Sequence, residues 1–348
     1  MRFHHRLLLV ATLLAFAVIA LGAYVRLSDA GLGCPDWPGC YGHWLGVPDA
    51  PHEQQVAAQA FPERPLDTGK AWKEMLHRYL AGTLGLLILT LSILSWRKEY
   101  RSRQSPTLPT ALLGIVGLQA ALGMWTVTLL LKPVIVTLHL IGGMTTLSIL
   151  AGMAVARREA APDDTTVRPA TRLLAAGALL AIVVQIALGG WVSSNYAALA
   201  CPDFPTCQGQ WQPDMDFTHA FSLRRERGQT ADGGLLPLAA LTAIHWSHRI
   251  GAVVVTLMMA TLAFALFRTG THRWRVWGGL LATQLLAQIG LGVGNVLLGL
   301  PLAIAVAHTI GAALLLTTTL AINIRMCRPH PHVSAAPSLQ RTTRIAAG

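Results

Sequence analysis

The fold class the sequence predicts is an all-α polytopic membrane protein, with eight transmembrane helices arranged as two pseudo-twofold-related four-helix bundles. Three observations predict it. The first is composition: of 348 residues, 53% are apolar and only 12% charged. The mean hydropathy is +0.49. A soluble domain of this size needs far more charge to cover its surface. The second is a series of eight apolar runs, each close to the ~20 residues that cross a bilayer. The third is an internal repeat that covers most of the chain.

The runs, in order, begin with Leu7–Val25. Arg2, His4, His5 and Arg6 precede it, as in a signal peptide. Its apolar stretch is longer than a typical signal core and no small-x-small cleavage site follows, so a retained helix is expected. Tyr79–Trp96, Leu108–Leu131 and Pro133–Ala156 come next, and then Leu173–Leu199, Ile250–Phe267, Val276–Leu300 and Pro301–Ile324. None contains Asp, Glu, Lys or Arg. Proline suits the first turn of a helix, so Pro133 and Pro301 divide two long apolar stretches into tight hairpins.

Orientation follows from the Lys and Arg of alternate connections. Seventeen of the 27 fall on one side, including Arg2, Arg6, Arg97, Lys98, Arg101, Arg103, Arg157, Arg158, Arg268 and Arg328. Ten fall on the other, several of them in loops of roughly 50 residues, which carry less weight. The expectation is a multi-pass protein of the cell inner (plasma) membrane with both termini cytoplasmic. The two long connections, about 26–76 and 200–245, then face outside. The net charge of +11 raises the question of nucleic acid. The basic residues are dispersed between apolar runs, however, so membrane lipid is the expected partner and nucleic acid is not.

The repeat has an offset of 167 to 171 residues. Leu21-Gly22-Ala23-Tyr24-Val25 returns as Leu188-Gly189-Gly190-Trp191-Val192, and the Cys34–Cys40 segment returns as Cys201–Cys207. His77-Arg78 returns as His248-Arg249, His139 as His308, and Gln119-x-x-Leu122-Gly123 as Gln288-x-x-Leu291-Gly292. Four spans separate equivalent points, so the repeat is parallel, with its axis along the membrane normal. This gives an N-terminal half, 1–160, a C-terminal half, 161–328, and a disordered cytoplasmic tail, 329–348. Glycines within the third and seventh spans (Gly114, Gly117, Gly123, Gly290, Gly292, Gly294) read as sites of close helix packing.

Of thirteen histidines, only four recur between the halves at membrane depth. His77 and His248 begin the second and sixth spans, and His139 and His308 lie about 10 Å into the fourth and eighth. A lone imidazole in a span is usually a helix–helix hydrogen-bonding group. Two per half, on alternate helices, instead suit the axial ligation of a haem iron lying between spans. Zinc would need further Cys or carboxylate ligands at that depth. Arg78 and Arg249 offer guanidinium groups to haem propionates, or else reach water as boundary arginines. The sequence leaves both readings open.

The halves differ in one telling place. Glu74-Met75-Leu76-His77 aligns with His245-Trp246-Ser247-His248. Residues at i and i+3 share a helix face, so Glu74 sits beside His77 and faces whatever that histidine binds. A carboxylate in one half only points to proton chemistry there, against the alternative of a helix-start glutamate. Cys34, Cys40, Cys201 and Cys207 form a C-x5-C pair in each outer loop, where the oxidising side favours disulfides. Whether such pairs are structural or redox-active is open. Cys327 lies on the inner side as a free thiol.

These residues together resemble the haem A synthase family. The resemblance is carried by Gly22-Ala23-Tyr24-Val25-Arg26-Leu27-Ser28, by Gly31-Leu32-Gly33-Cys34-Pro35-Asp36-Trp37-Pro38-x-Cys40, and by Glu74-Met75-Leu76-His77-Arg78. It continues through His139, His248-Arg249 and His308, and it spans roughly Leu7 to Ile324. It implies an oxidoreductase that converts the methyl group of haem O to the formyl group of haem A by successive hydroxylations, for cytochrome oxidase. It implies haem b on His248 and His308 of the C-terminal half, and substrate haem O on His77 and His139 of the N-terminal half. Glu74 falls on the family's catalytic glutamate, and Cys34 and Cys40 on a pair for which a redox relay has been proposed. A haem O synthase as substrate donor and an unidentified electron acceptor are the expected partners; the sequence leaves open whether the chain forms a homo-oligomer. Two further readings stand beside it: a bis-histidine di-haem transmembrane electron carrier, and a haem-free transporter or assembly factor. The carrier explains four histidines but neither Glu74 nor the paired cysteine loops.

Overall fold

The structure, a computed structural model, describes residues 2–101, 105–156 and 167–327. The expected disordered tail, the boundary between the halves at 160/161, and Arg103, Arg157, Arg158 and Arg328 of the orientation count lie outside the described residues. The chain forms α1 (Arg2–Leu27), α2 (Pro51–Ala60), α3 (Thr68–Ser95), α4 (Lys98–Arg101), α5 (Thr107–Thr128) and α6 (Pro133–Ala156). It continues with α7 (Pro169–Ser194), α8 (Phe217–Ala220), α9 (Leu238–Phe267), α10 (His272–Leu297) and α11 (Leu302–Met326). Eight of these, α1, α3, α5, α6, α7, α9, α10 and α11, are long and apolar enough to cross a membrane, one for each apolar run.

Two spans start well before their apolar runs. α3 begins at Thr68 rather than Tyr79, and α9 at Leu238 rather than Ile250. Asp67 caps α3 by accepting the Lys70 N–H at 3.0 Å. Once nucleated, the helix propagates through Lys70, Lys73, Glu74, His77 and Arg78, because polar side chains interrupt an apolar run without interrupting the backbone ladder. His77 and His248 are therefore in the third turn of their helices, not at the start. The fifth span stops at Ser194 instead of Leu199. Tyr196 adopts a left-handed conformation (φ 55°) and a 3₁₀ turn, Ala197–Leu199, follows.

The two hairpins form as the prolines imply. α5 and α6 are joined through Leu129–Lys132, and α10 and α11 through Leu298–Pro301. In each, an N–H closes the helix end on a carbonyl five residues back: Leu131 to Thr126 at 2.8 Å, and Leu300 to Asn295 at 2.7 Å. Leu131 (φ 59°) and Leu300 (φ 64°) are both left-handed. That conformation costs a non-glycine residue roughly 1–2 kcal/mol; the first hairpin bears it twice, since Leu130 (φ 51°) is left-handed too, where the second places Gly299.

Helix contacts close two rings. In one, α1 packs on α3 and α6, and α5 packs on α3 and α6. In the other, α7 packs on α9 and α11, and α10 packs on α9 and α11. The rings meet through α1·α11, α6·α11 and α6·α7. The largest buried apolar cluster draws on Leu8, Leu91, Leu150, Leu266, Trp274 and Ile322, all near the helix ends opposite the two long connections. Smaller cores under each connection, one around Cys34, Cys40, Ala71 and Met75 and the other around Trp191, Ala220, Ala243 and Ile244, seat those loops on the bundle. Most large apolar side chains left exposed, such as Leu86, Leu180, Leu257 and Leu286, lie on the spans, where lipid covers them.

Candidate haem and redox site

The four repeated histidines occupy diagonal corners of the rings. His77 is on α3 and His139 on α6, helices that both pack on α1 and α5. His248 on α9 and His308 on α11 stand in the same relation to α7 and α10. Each pair is close enough for its imidazoles to interact electrostatically. From these diagonal corners the two imidazoles of each pair would hold a flat ligand such as a haem between them. Among the described residues no group of three or more His, Cys, Asp or Glu converges as a metal cluster would require.

The other two corners of each ring supply glycines that the imidazoles press against. A Cβ built on Gly22 of α1 would stand 2.9 Å from His77 Cε1, and one on Gly123 of α5 would stand 3.4 Å from His139 Cε1. In the second ring a Cβ on Gly189 or Gly292 would stand 3.1 Å from Cε1 of His248 or His308. Gly114, Gly117 and Gly290 have nothing within 4 Å of a Cβ, so close packing does not account for them. The glycines that matter are those behind the histidines. The recurrence of Gly22 as Gly189 and of Gly123 as Gly292 at the histidines' own offset is the sequence signal that could have singled them out.

Nδ1 of His77, His139 and His308 is buried without a hydrogen-bond partner. The fourth, His248 Nδ1, lies 3.0 Å from the Gln185 amide, whose Nε2 also donates to the His248 carbonyl at 2.9 Å. The repeat places apolar Val18 opposite Gln185. Buried imidazole nitrogens without partners are costly, and an iron ligated at the opposite nitrogen would fix the tautomer that such a ring adopts. Glycine-backed imidazoles on diagonal helices, three of them with a buried Nδ1 that has no partner, fit the haem reading.

Glu74 is 5% exposed and lies two turns inside α3, which removes the reading of a solvated helix-start residue. Its Oε2 accepts the Cys34 N–H at 3.0 Å and its Oε1 pairs with Arg78 Nη2 at 2.5 Å. Arg78 in turn donates through Nη1 to the carbonyls of Asp36, Pro38 and Gly39. The carboxylate thus ties the Cys34–Cys40 loop to the helix that carries His77. Both C-x5-C pairs are disulfides, with Cα–Cα separations of 4.8 Å for Cys34–Cys40 and 4.6 Å for Cys201–Cys207, and Cys327 is free.

The second loop repeats the arrangement with an imidazole in place of the carboxylate. The Cys201 N–H meets His245 Nδ1 at 3.3 Å, and Arg249 Nε meets His245 Nε2 at 3.4 Å. Arg249 donates to the carbonyls of Thr206, Cys201 and Asp203 at 2.7, 2.9 and 2.8 Å. A carboxylate accepts from both donors at once, whereas a neutral imidazole has one acceptor nitrogen. The longer distances around His245 reflect that shortfall. Both arginines, read from sequence as propionate partners or boundary cations, spend much of their donor capacity on loop carbonyls.

Outside the spans, the Asp203 carboxyl is held down to about 2, chiefly by the Thr206 hydroxyl and then by the Gly209 and Gln208 N–H groups.

The fold and its histidines define a class: a multi-pass helical membrane protein with a facing histidine pair in each of two helix rings and a disulfide loop above each. The chain belongs to the COX15-CtaA family of cytochrome oxidase assembly proteins, whose family model matches residues 5–320. It is 44% identical to the heme A synthase of Shewanella oneidensis, over 91% of this chain and 94% of that protein. It is similar at 30% identity to the heme A synthase of Methylobacterium radiotolerans, over 89% and 86% of the two chains. It is 26% identical to that of Halalkalibacterium halodurans, over 90% and 95%.

Proposed function

We propose that this protein is a haem A synthase, which oxidises the methyl group of haem O to a formyl group by successive hydroxylations. The observation that carries this reading is the combination of two glycine-backed histidine pairs with one buried carboxylate. The N-terminal ring, with His77 and His139, takes the substrate haem O. The C-terminal ring, with His248 and His308, takes haem b as resident cofactor. The asymmetry at Glu74 and His245 supports that division, because a group placed only in the first half marks where the chemistry occurs. Arg78 and Arg249 act chiefly as clamps on the disulfide loops. The halves are related by a pseudo-twofold axis along the membrane normal.

Haem b, when bound, supplies a low-spin centre able to pass electrons one at a time. The chain's own residues do the rest. His77 and His139 orient the substrate, and Gly22 and Gly123 leave the space that their rings occupy. The apolar span interior excludes bulk water from the porphyrin edge. Glu74, drawn back against Cys34 and Arg78, can accept a proton as the methyl carbon is oxidised, and its negative charge favours electron-poor carbon nearby. The protein sits in the inner membrane with both termini cytoplasmic, is supplied by a haem O synthase, and passes electrons to a separate acceptor.

Haem extraction tests the reading. The purified full chain should yield haem b together with haem O or haem A, and cells lacking the protein should accumulate haem O. Haem b alone, with haem A formation unaffected in its absence, would leave an electron carrier instead.

A further inference from the structure

Two contacts join residues that the repeat makes equivalent. The Tyr196 hydroxyl donates to Asp29 Oδ1 at 2.7 Å across a separation of 167 residues, and Arg26 donates to the Ser193 carbonyl across the same separation. In a two-fold arrangement, residues that touch their own equivalents lie on the axis. The outer ends of α1 and α7 therefore meet on the line that relates the halves. A cavity of about 680 Å³ opens there. Its lining includes Asp29 and Tyr196, and also Lys70 with its repeat counterpart Leu241. Arg227, from the second outer loop, and Asn195 complete the part that matters here.

The chemistry of this lining is lopsided. Among the described residues neither Lys70 nor Arg227 makes an ion pair. Arg227 donates to the Tyr196 hydroxyl at 3.3 Å and stands 5.6 Å over that ring. Asn195 is buried with an Oδ1 that no donor reaches. Two cationic donors above a leucine wall suit a flat, largely apolar molecule with carbonyl oxygens, in a volume typical of small-molecule sites. Tyr196, Asp29 and Asn195 offer acceptors to the hydroxyls that appear when such a molecule is reduced.

Position matters as much as lining. Asp29 is seven residues beyond Gly22, and Tyr196 is seven beyond Gly189. Each lies two residues past the end of a helix, Leu27 or Ser194, whose last two turns carry the glycine that backs a histidine ring. The cavity is thus placed alike with respect to both histidine pairs, at the membrane margin.

We propose that this cavity binds a quinone, which serves as the electron acceptor. The proposal rests on the haem-methyl oxidation above. Converting a methyl carbon and one water to a hydroxymethyl group releases two electrons and two protons. One quinone takes up both pairs to become one hydroquinone, so each hydroxylation balances. Lys70 and Arg227 hold the quinone oxygens, and the lipid phase delivers the apolar body.

Binding of decylubiquinone to the full chain in phosphatidylcholine nanodiscs, measured by calorimetry, tests the site without any turnover. Wild type should bind about one equivalent. Lys70→Met and Arg227→Met should each weaken binding by about 10-fold or more, as loss of a charged hydrogen bond implies. Lys70→Arg should restore most of it, and Arg224→Met, a loop cation outside the cavity, should leave it unchanged. No saturable binding, or equal binding in wild type and both Met variants, overturns the proposal. Displacement of the quinone by equimolar dodecyl phosphate also overturns it, in favour of an anionic lipid headgroup. Because haem A formation in cells is scored separately, a protein that still makes haem A but fails these tests loses the quinone site alone.

Discussion

Glu74 and His245 occupy the same station in the two halves, and the contrast between them sets the sharpest tests. Glu74→Gln keeps the shape and one acceptor oxygen but removes the charge opposite Arg78. Loss of a general base costs about 10²–10⁴-fold in rate, so haem A formation should fall below detection in cells. Haem b bound at His248 and His308 reports whether the fold survives, because removing one partner of a buried pair can itself cost about 3–5 kcal/mol. Haem A formed at a near-normal rate by the Glu74→Gln variant would leave the carboxylate as a loop anchor only. His245→Gln should be mild, since one amide oxygen replaces one imidazole acceptor. The glycines give a second pair of tests: Gly22→Val should reduce haem O binding while sparing haem b, and Gly189→Val should do the reverse. Absorption spectra of the purified variants distinguish them, and a symmetric loss in both would detach the glycines from the individual sites. The histidines and Glu74 were legible in the sequence because ionisable groups are rare at membrane depth. Gly123 and Gly292 were read as packing sites and Gly22 and Gly189 only as part of the repeat, because recurrence marks a glycine without saying which neighbour its missing Cβ makes room for.

At the scale of elements, the eight spans were legible because lipid permits only long apolar helices, while the true starts of α3 and α9 were hidden by polar residues that a helix carries without breaking. The loops were legible in their disulfides but not in their clamps, since the carbonyls that Arg78 and Arg249 hold belong to residues about 40 positions away. Arg249→Met removes three such bonds. Charged hydrogen bonds contribute about 1.5–3 kcal/mol when buried, and less when partly exposed as here. A loosening of about 2 kcal/mol corresponds to roughly 30-fold more frequent opening. Reduction of Cys201–Cys207 by a phosphine should quicken by about that factor, while Cys34–Cys40 reacts as before; equal rates in variant and wild type would mean the arginine is not the clamp. The same assay carries a pH test. The folded carboxyl of Asp203 titrates at about 2, against an ordinary 3.8. A depressed value favours the folded loop above pH 3.8, and that contribution fades as pH falls toward 2. After correction for the reagent's own pH dependence, wild-type protection should be level from pH 7 to about 5 and decline below 4. In Asp203→Asn that acid-side decline should be absent.

The whole molecule has a polarity that its contacts and its charges describe independently. Four cysteines are paired as disulfides in the two long connections, while Cys327, at the opposite end of the bundle, is free. Disulfides persist on the oxidising side of a membrane, which supports the proposed placement of the long connections outside. The Lys and Arg distribution supports the same proposed side by a different route, because short basic connections tend to be retained in the cytoplasm. Neither signal uses the histidines, so agreement between them does not depend on the haem reading. What the sequence could not supply is how the halves join. The α1·α11, α6·α11 and α6·α7 contacts involve residues that no periodicity links, and the Asp29–Tyr196 contact became visible only once both helix ends were placed. The orientation leads to a direct test. A phosphatase or fluorescent reporter fused after Arg103 or Arg275 should behave as cytoplasmic, and one inserted within Pro48–Gln59 or Gln208–Asp216 as external. The last two sites lie beyond the disulfides of their loops, so they also report whether each loop has crossed. Opposite behaviour at two or more of the four sites would invert the topology, place the disulfides in the reducing compartment, and remove the oxidising environment on which their pairing relies.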